Sequence, residues 1–223
     1  MQAITDLKDL LQVQLQALYS AEMQISKAMP QVIMKVNHSS LQNALTHHSG
    51  LTELQLERLA KVMQILGGVE QLSEQPINKG IKGILEEITD LLAEDLSKEV
   101  NDAAIIAGIQ KIEHYEITCY GTALTYAQQL KSHKAEALLH ETLQEEYDAD
   151  DLLTQLAKSA MNKEALPRLE PEQDTVNDEH VSSDDEYLKK SEKVSISERT
   201  INSPGGRAGR SHRGYNSGES RGH

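Results

Sequence analysis

The sequence has no tryptophan and no phenylalanine, and its 7 tyrosines are all of its aromatic content. Sandwiches and barrels draw on aromatic and β-branched residues. The Leu, Ile, Ala, Val and Met present here suit helix-on-helix packing. A single cysteine, Cys119, excludes an internal disulfide and a thiolate zinc site. No apolar run approaches the ~20 residues of a membrane span. The opening Met1-Gln2-Ala3-Ile4-Thr5-Asp6 is polar and lacks the pattern of a secretory leader, so a cytoplasmic, reducing setting is expected. Positive charge is scarce too. Lys and Arg number 22 against 35 Asp and Glu, a formal net charge of −13. Such a surface repels nucleic acid and acidic membranes unless a local basic patch intervenes. There is no phosphate-binding glycine loop, no Gly-x-Ser-x-Gly turn and no zinc-protease motif.

Helix breakers are few up to Leu166, and what is present there is helical periodicity. One helix is expected from about Thr5 to Lys35, with the stripe Leu7, Leu11, Leu18, Ile25 and Met29 and a kink at Pro30. A second is expected from about Ser40 to Leu66, with Ser39 or Ser40 as N-cap, Gly67-Gly68 as stop, and the stripe Leu41, Leu45, Gln55, Leu59, Val62 and Leu66. After Pro76 and Gly80 a shorter helix fits Ile81 to Leu96. Two more long helices follow. The first, about Val100 to Leu130, carries Ile105, Ile109, Ile112, Tyr120 and Leu124. The second, about His133 to Met161, carries Leu139, Leu143, Leu153 and Leu156. The expectation is an all-α fold over 1–166, a ferritin-like four-helix bundle of two helical hairpins with a long crossover containing a short helix. From Pro167 the composition turns polar, through an acidic run and into Arg- and Gly-rich sequence. Residues 167–223 are therefore expected to be a disordered polar tail, with too little apolar surface to offset the entropy of ordering.

Each long helix interrupts its apolar stripe with an ionisable residue near mid-length: Glu22, His48, Glu113 with Glu116, and Glu146. A lone buried carboxylate costs several kcal/mol unless something compensates, and several at one level repel one another. A metal ion is the simplest compensation. Oxygen and imidazole donors without thiolate suit iron or manganese, with zinc also compatible. Any one of these residues has a plainer reading. Glu116 fits an edge position with its carboxylate in solvent, and His48 fits a core histidine bonded to a neighbour. His47, His114 and Asp150 fit flanking positions, and Cys119 fits a core residue. The metal reading rests on the coincidence across four helices.

The segments Leu18-Tyr19-Ser20-Ala21-Glu22-Met23-Gln24-Ile25, Asp102-Ala103-Ala104-Ile105-Ile106-Ala107 through Gln110-Lys111-Ile112-Glu113-His114-Tyr115-Glu116-Ile117, and Glu141-Thr142-Leu143-Gln144-Glu145-Glu146 resemble the ferritin-like YciE/YciF family of bacterial proteins. The resemblance spans roughly the first 160 residues in order. It implies a rubrerythrin-related bundle, a homodimer, a di-metal site and an association with bacterial stress responses. On it, Glu22, His48, Glu113 and Glu146 are ligands, with Glu116 and Glu145 as bridging or shuttling candidates. The chain also departs from the family. Where relatives read His-x-Glu-Glu-Thr, this sequence has His48-Ser49-Gly50-Leu51-Thr52, and position 17, often acidic in relatives, is Ala17. The departures imply a mononuclear, weakened or lost site.

Two functions follow as expectations. One is a metal-dependent oxidoreductase or iron-handling protein, with iron or manganese in a di-metal or half-site and Tyr19, Tyr115 or Tyr120 as candidate electron donors. The other is a non-enzymatic dimeric stress scaffold with a degenerate metal site. Binding of single-stranded nucleic acid through Arg207, Arg210, Arg213 and Arg221 is the weakest reading, because an acidic run lies just upstream.

Overall fold

The computed structural model of the protein describes residues 4–67 and 76–167. Apart from Pro167, the expected tail lies outside the described residues. Four long helices and a shorter one form in the expected order: α1 Leu7–Ile33, α2 Ser39–Ile65, α3 Lys79–Leu91, α4 Lys98–Gln129 and α5 His133–Leu156. A turn of wider π-helical pitch, Ala157–Met161, and the short α6, Asn162–Glu164, close the described chain.

The caps set the boundaries. Asp6 accepts from the Asp9 amide, Asn78 from Ile81 and Ser97 from Val100. For α2 the cap is His38 and neither of the two serines: its Nδ1 accepts from the Ser40 amide at 3.2 Å. α3 is shorter than expected, because Leu92 caps it and the chain turns before Leu96. Pro30 sits inside the last turn of α1, where the Met34 amide still reaches its carbonyl.

α1 packs on α2, α2 on α5, α5 on α4 and α4 on α1, a closed ring of four. Its core falls into two apolar clusters. One joins Ile25, Met29, Leu41, Leu45, Ile105, Ile109 and Leu153. The other joins Leu11, Leu15, Leu18, Leu59, Val62, Tyr120 and Leu139. Ring neighbours therefore run antiparallel, while α2 and α4 lie diagonally and parallel. The chain must travel the length of the bundle between them, and α3, packed on α1 and α4, lies on that crossover. Leu7, Leu143 and Leu156 are only half-buried. At α5 it is Thr142 that points inward, 1% exposed.

Two buried polar residues fasten the connections. Asp102 accepts from the Asn37 amide at 2.9 Å and the His38 amide at 2.7 Å, holding the α1–α2 turn onto α4. Asn78 caps α3, donates to the Ala17 carbonyl at 2.9 Å and meets the Tyr115 hydroxyl. Tyr115 thus anchors the crossover.

Candidate metal centre

Between the two apolar clusters lies a polar layer contributed by all four long helices. Helical spacing explains it: Glu22 follows the Leu11-Leu15-Leu18 stripe, and Glu113 and Glu116 fall one turn apart between Ile109 and Tyr120. Glu22, His48, Glu113, Glu116 and Glu146 are all buried, none more than 5% exposed.

Four of them converge. His48, Glu113, Glu116 and Glu146 each offer a ligand atom within 4.8 Å of the others. His48 Nε2 lies 3.3 Å from Glu113 Oε1, without the orientation of a hydrogen bond. Glu22 stands beside this group. Its Oε1 accepts a 2.5 Å bond from the Tyr120 hydroxyl, and its Oε2 has no partner. Thr52, one turn beyond His48, turns its hydroxyl onto the His48 carbonyl at 3.2 Å.

Electrostatics follow from burial and crowding. Desolvation pushes Glu22 up to about 7, opposed by the Tyr120 hydroxyl and by Glu116. Desolvation pushes Glu113 up to about 8, with Glu22 and Asp150 adding to it and the adjacent Glu146 side chain opposing it. Glu116 and Glu146 are raised well above the carboxylate range by burial and then by their acidic neighbours. His48 is lowered to about 4 by burial, so its imidazole is neutral. Without a compensating charge the cluster is a store of protons around a neutral histidine.

Glu145 is placed differently. Arg58 grips it with two bonds, Nη1 to Oε2 at 2.6 Å and Nη2 to Oε1 at 2.7 Å, and Gln55 Nε2 adds a third at 3.1 Å. The same Gln55 nitrogen donates to Glu146 Oε1 at 2.7 Å. Glu145 thus carries a guanidinium, and Glu146 keeps only Oε2 without a partner. Gln55 and Arg58 are the residues that sequence reasoning missed. Gln55 was visible as the one amide in an apolar stripe, and Arg58 follows it by one turn.

The flanking residues sort cleanly. His47 is exposed. His114 is exposed and lies 3.4 Å from Asp150, which accepts from Gln110 at 2.9 Å. Among the three tyrosines considered as electron donors, Tyr120 touches a candidate ligand. Tyr115 meets Asn78, and Tyr19 packs at the edge of the second apolar cluster. The departures from the family pattern differ in their relation to the site. A side chain at Gly50 would meet open space, and Ala17 gives its carbonyl to Asn78. Of the altered positions, Leu51 is the one that shares a wall with His48 and Glu113.

Whether these residues fit a metal ion is decided by their unpaired atoms. All 7 buried side-chain nitrogen and oxygen atoms without a hydrogen-bond partner among the described residues belong to Glu22, His48, Glu113, Glu116 and Glu146. Folded proteins rarely leave such atoms unpaired, and each one costs about 1–3 kcal/mol. A cation at their meeting point satisfies several together, and the set of carboxylates with one neutral imidazole fits it.

An antiparallel four-helix ring with a carboxylate- and histidine-lined layer at its waist defines a ferritin-like protein with a candidate metal centre. Residues 6–166 match the family described as a domain of unknown function, DUF892, and the chain belongs to that family. It is 39% identical over 151 residues to protein YciF of Escherichia coli K12, covering 66% of this chain and 87% of YciF. The crystal structure of the E. coli stress protein YciF superposes with a TM-score of 0.68 at 35% identity, over 72% of this chain and 99% of that one. YcfI of Rhodopseudomonas palustris superposes with a TM-score of 0.65 at 36% identity, over 69% and 96%. Among the described residues no helix is long and apolar enough to cross a membrane.

Proposed function

We propose that this protein is a metal-binding, YciF-like stress protein that holds one iron or manganese ion through His48, Glu113, Glu116 and Glu146. Glu22 closes the α1 side of the site. The observation that carries the reading is the confinement, among the described residues, of every unpaired buried side-chain nitrogen and oxygen to this one layer. A single ion is favoured over two because Arg58 and Gln55 already engage Glu145 and one oxygen of Glu146. When bound, such an ion supplies a one-electron redox centre or a Lewis acid. The chain's own part is to present a neutral imidazole, to take up and give back carboxylate protons, and to bound the site along the bundle axis with the two apolar clusters. That chemistry suits iron handling or an oxidoreductase, in a homodimer as the family resemblance implies.

The test is metal content of tag-free protein by inductively coupled plasma mass spectrometry, with anaerobic Fe(II) titration of the metal-free form. About one ion per chain is expected, lost in the Glu113→Gln/Glu146→Gln variant. Two ions would overturn the single-ion reading. No uptake by wild type would leave the second reading, a scaffold with a degenerate site, which the Arg58–Glu145 pair favours by answering that carboxylate without a metal.

A further inference from the structure

Beside the polar layer, between α2 and α5, lies a cavity of about 340 Å³. That volume falls at the lower end of the ~300–1,000 Å³ common for small-molecule sites. An empty apolar cavity of ~150 Å³ already holds benzene. Its walls are aliphatic: Leu45 and Leu51 from α2, Leu152 and Leu153 from α5. Ala44 and Ala149 keep it open, since a larger side chain at either would project into it. Its inner end reaches His48 and Glu113, and its rim carries the exposed His47 and Asp148 and the half-buried Glu145. The space borders the first apolar cluster, which lends Leu45 and Leu153 to its wall, and Leu152 stays 41% exposed on its flank.

We propose that this cavity binds a small, uncharged, mainly apolar organic molecule, of the size of a substituted benzene or short aliphatic alcohol, and sets it against the His48–Glu113 edge of the metal centre. The proposal rests on the metal-site reading for its purpose and not for its existence. Uncharged ligands are selected by the walls. The Glu145 charge is answered by Arg58, Asp148 at the rim repels anions, and inside the rim the aliphatic walls give an ion of either sign no compensation for lost water. The placement makes such a molecule the substrate, or a gatekeeper, of chemistry at the centre.

The test uses the full chain, metal-free and Mn(II)-loaded, with 4-methylphenol as probe and 4-methylbenzoate and benzylammonium as its charged counterparts. Binding is followed by calorimetry and by methyl spectra of the leucines and alanines of the metal-free form. Saturable binding of 4-methylphenol is expected, with shifts centred on Leu51, Ala149 and Leu153, and at least about tenfold weaker binding of both charged probes. Leu51→Glu places a charge in the wall and should weaken 4-methylphenol by about tenfold or more. Ala149→Leu fills the cavity from the other helix and should do the same, so the result stands even if one variant fails to fold. Non-saturating shifts, tighter binding of a charged probe, or unchanged binding in a folded variant would overturn the proposal. Probe binding without metal uptake would sink the metal reading and leave the pocket. Metal uptake without probe binding would do the reverse.

Discussion

At the scale of single residues, the site is organised by which polar atoms are answered and which are not. Glu22 has one answered oxygen, through Tyr120, and both partners are buried. Tyr120→Phe removes that donor without changing the packing volume much. It should destabilise the metal-free bundle by about 1–3 kcal/mol in chemical denaturation, the range for orphaning a buried acceptor. It should also raise the Glu22 pKa further, since the hydroxyl is what holds it down against burial. An unchanged unfolding midpoint would show that the short bond contributes nothing net. The ligand candidates were legible in the sequence because a Glu inside a Leu/Ile stripe is conspicuous. The fate of Glu145 was not legible. Adjacent carboxylates on a helix point about 100° apart. Only the position of Arg58, 87 residues away in sequence, decides which of them takes the guanidinium.

At the scale of the helices, close approach distinguishes the glycines. Gly50 lies in the exposed middle of α2, and an added Cβ there meets nothing within 4 Å. Gly50→Ala should raise stability by up to about 1 kcal/mol from helix propensity alone. Gly108 is the opposite case: a Cβ would stand 2.6 Å from Ile88 Cγ1, where α3 lies against α4. Gly108→Ala should therefore lower the thermal midpoint by pushing the crossover helix off the bundle, and a stabilised Gly108→Ala would contradict the tight α3–α4 contact. The helices themselves were readable from period and composition, and most of their inward stripes fell where the spacing put them. The ends were less so. The ring of His38 took the cap expected of Ser39 or Ser40, and Leu92 stopped α3 early. Caps depend on local backbone angles that a stripe does not encode.

At the scale of the whole molecule, stability and pH are coupled through the waist. Glu22 and Glu113 sit at about 7 and about 8, against an ordinary value of 4.5. Glu116 and Glu146 are raised too. The folded state therefore holds protons that the unfolded chain has already released. Their contribution is complete below the unfolded value and is lost as pH rises through the folded values. His48 runs the other way, from 6.5 down to about 4, so its contribution is complete above about 6.5 and is lost as pH falls toward 4. The thermal midpoint of metal-free protein should thus decline between about pH 6 and pH 8.5. Added Mn(II) should raise it more at the alkaline end, because the ion competes with fewer protons there. A midpoint that climbs with pH in the absence of metal would contradict this account of the cluster.

The division of the core by a polar layer has one more consequence, for uniqueness of the fold. Leucine-rich antiparallel helices slide past one another at little cost, because one turn of about 5.4 Å brings leucine back against leucine. Here that freedom is gone. A one-turn slip of α1 would drive Glu22 into the aliphatic cluster around Ile25 or the one around Leu18, and the same holds for Glu146 on α5. Only one alignment puts all the carboxylates, His48 and Gln55 at the same height. The residues that gather a cation also act as a vernier, reading the four helices against one another and admitting a single setting.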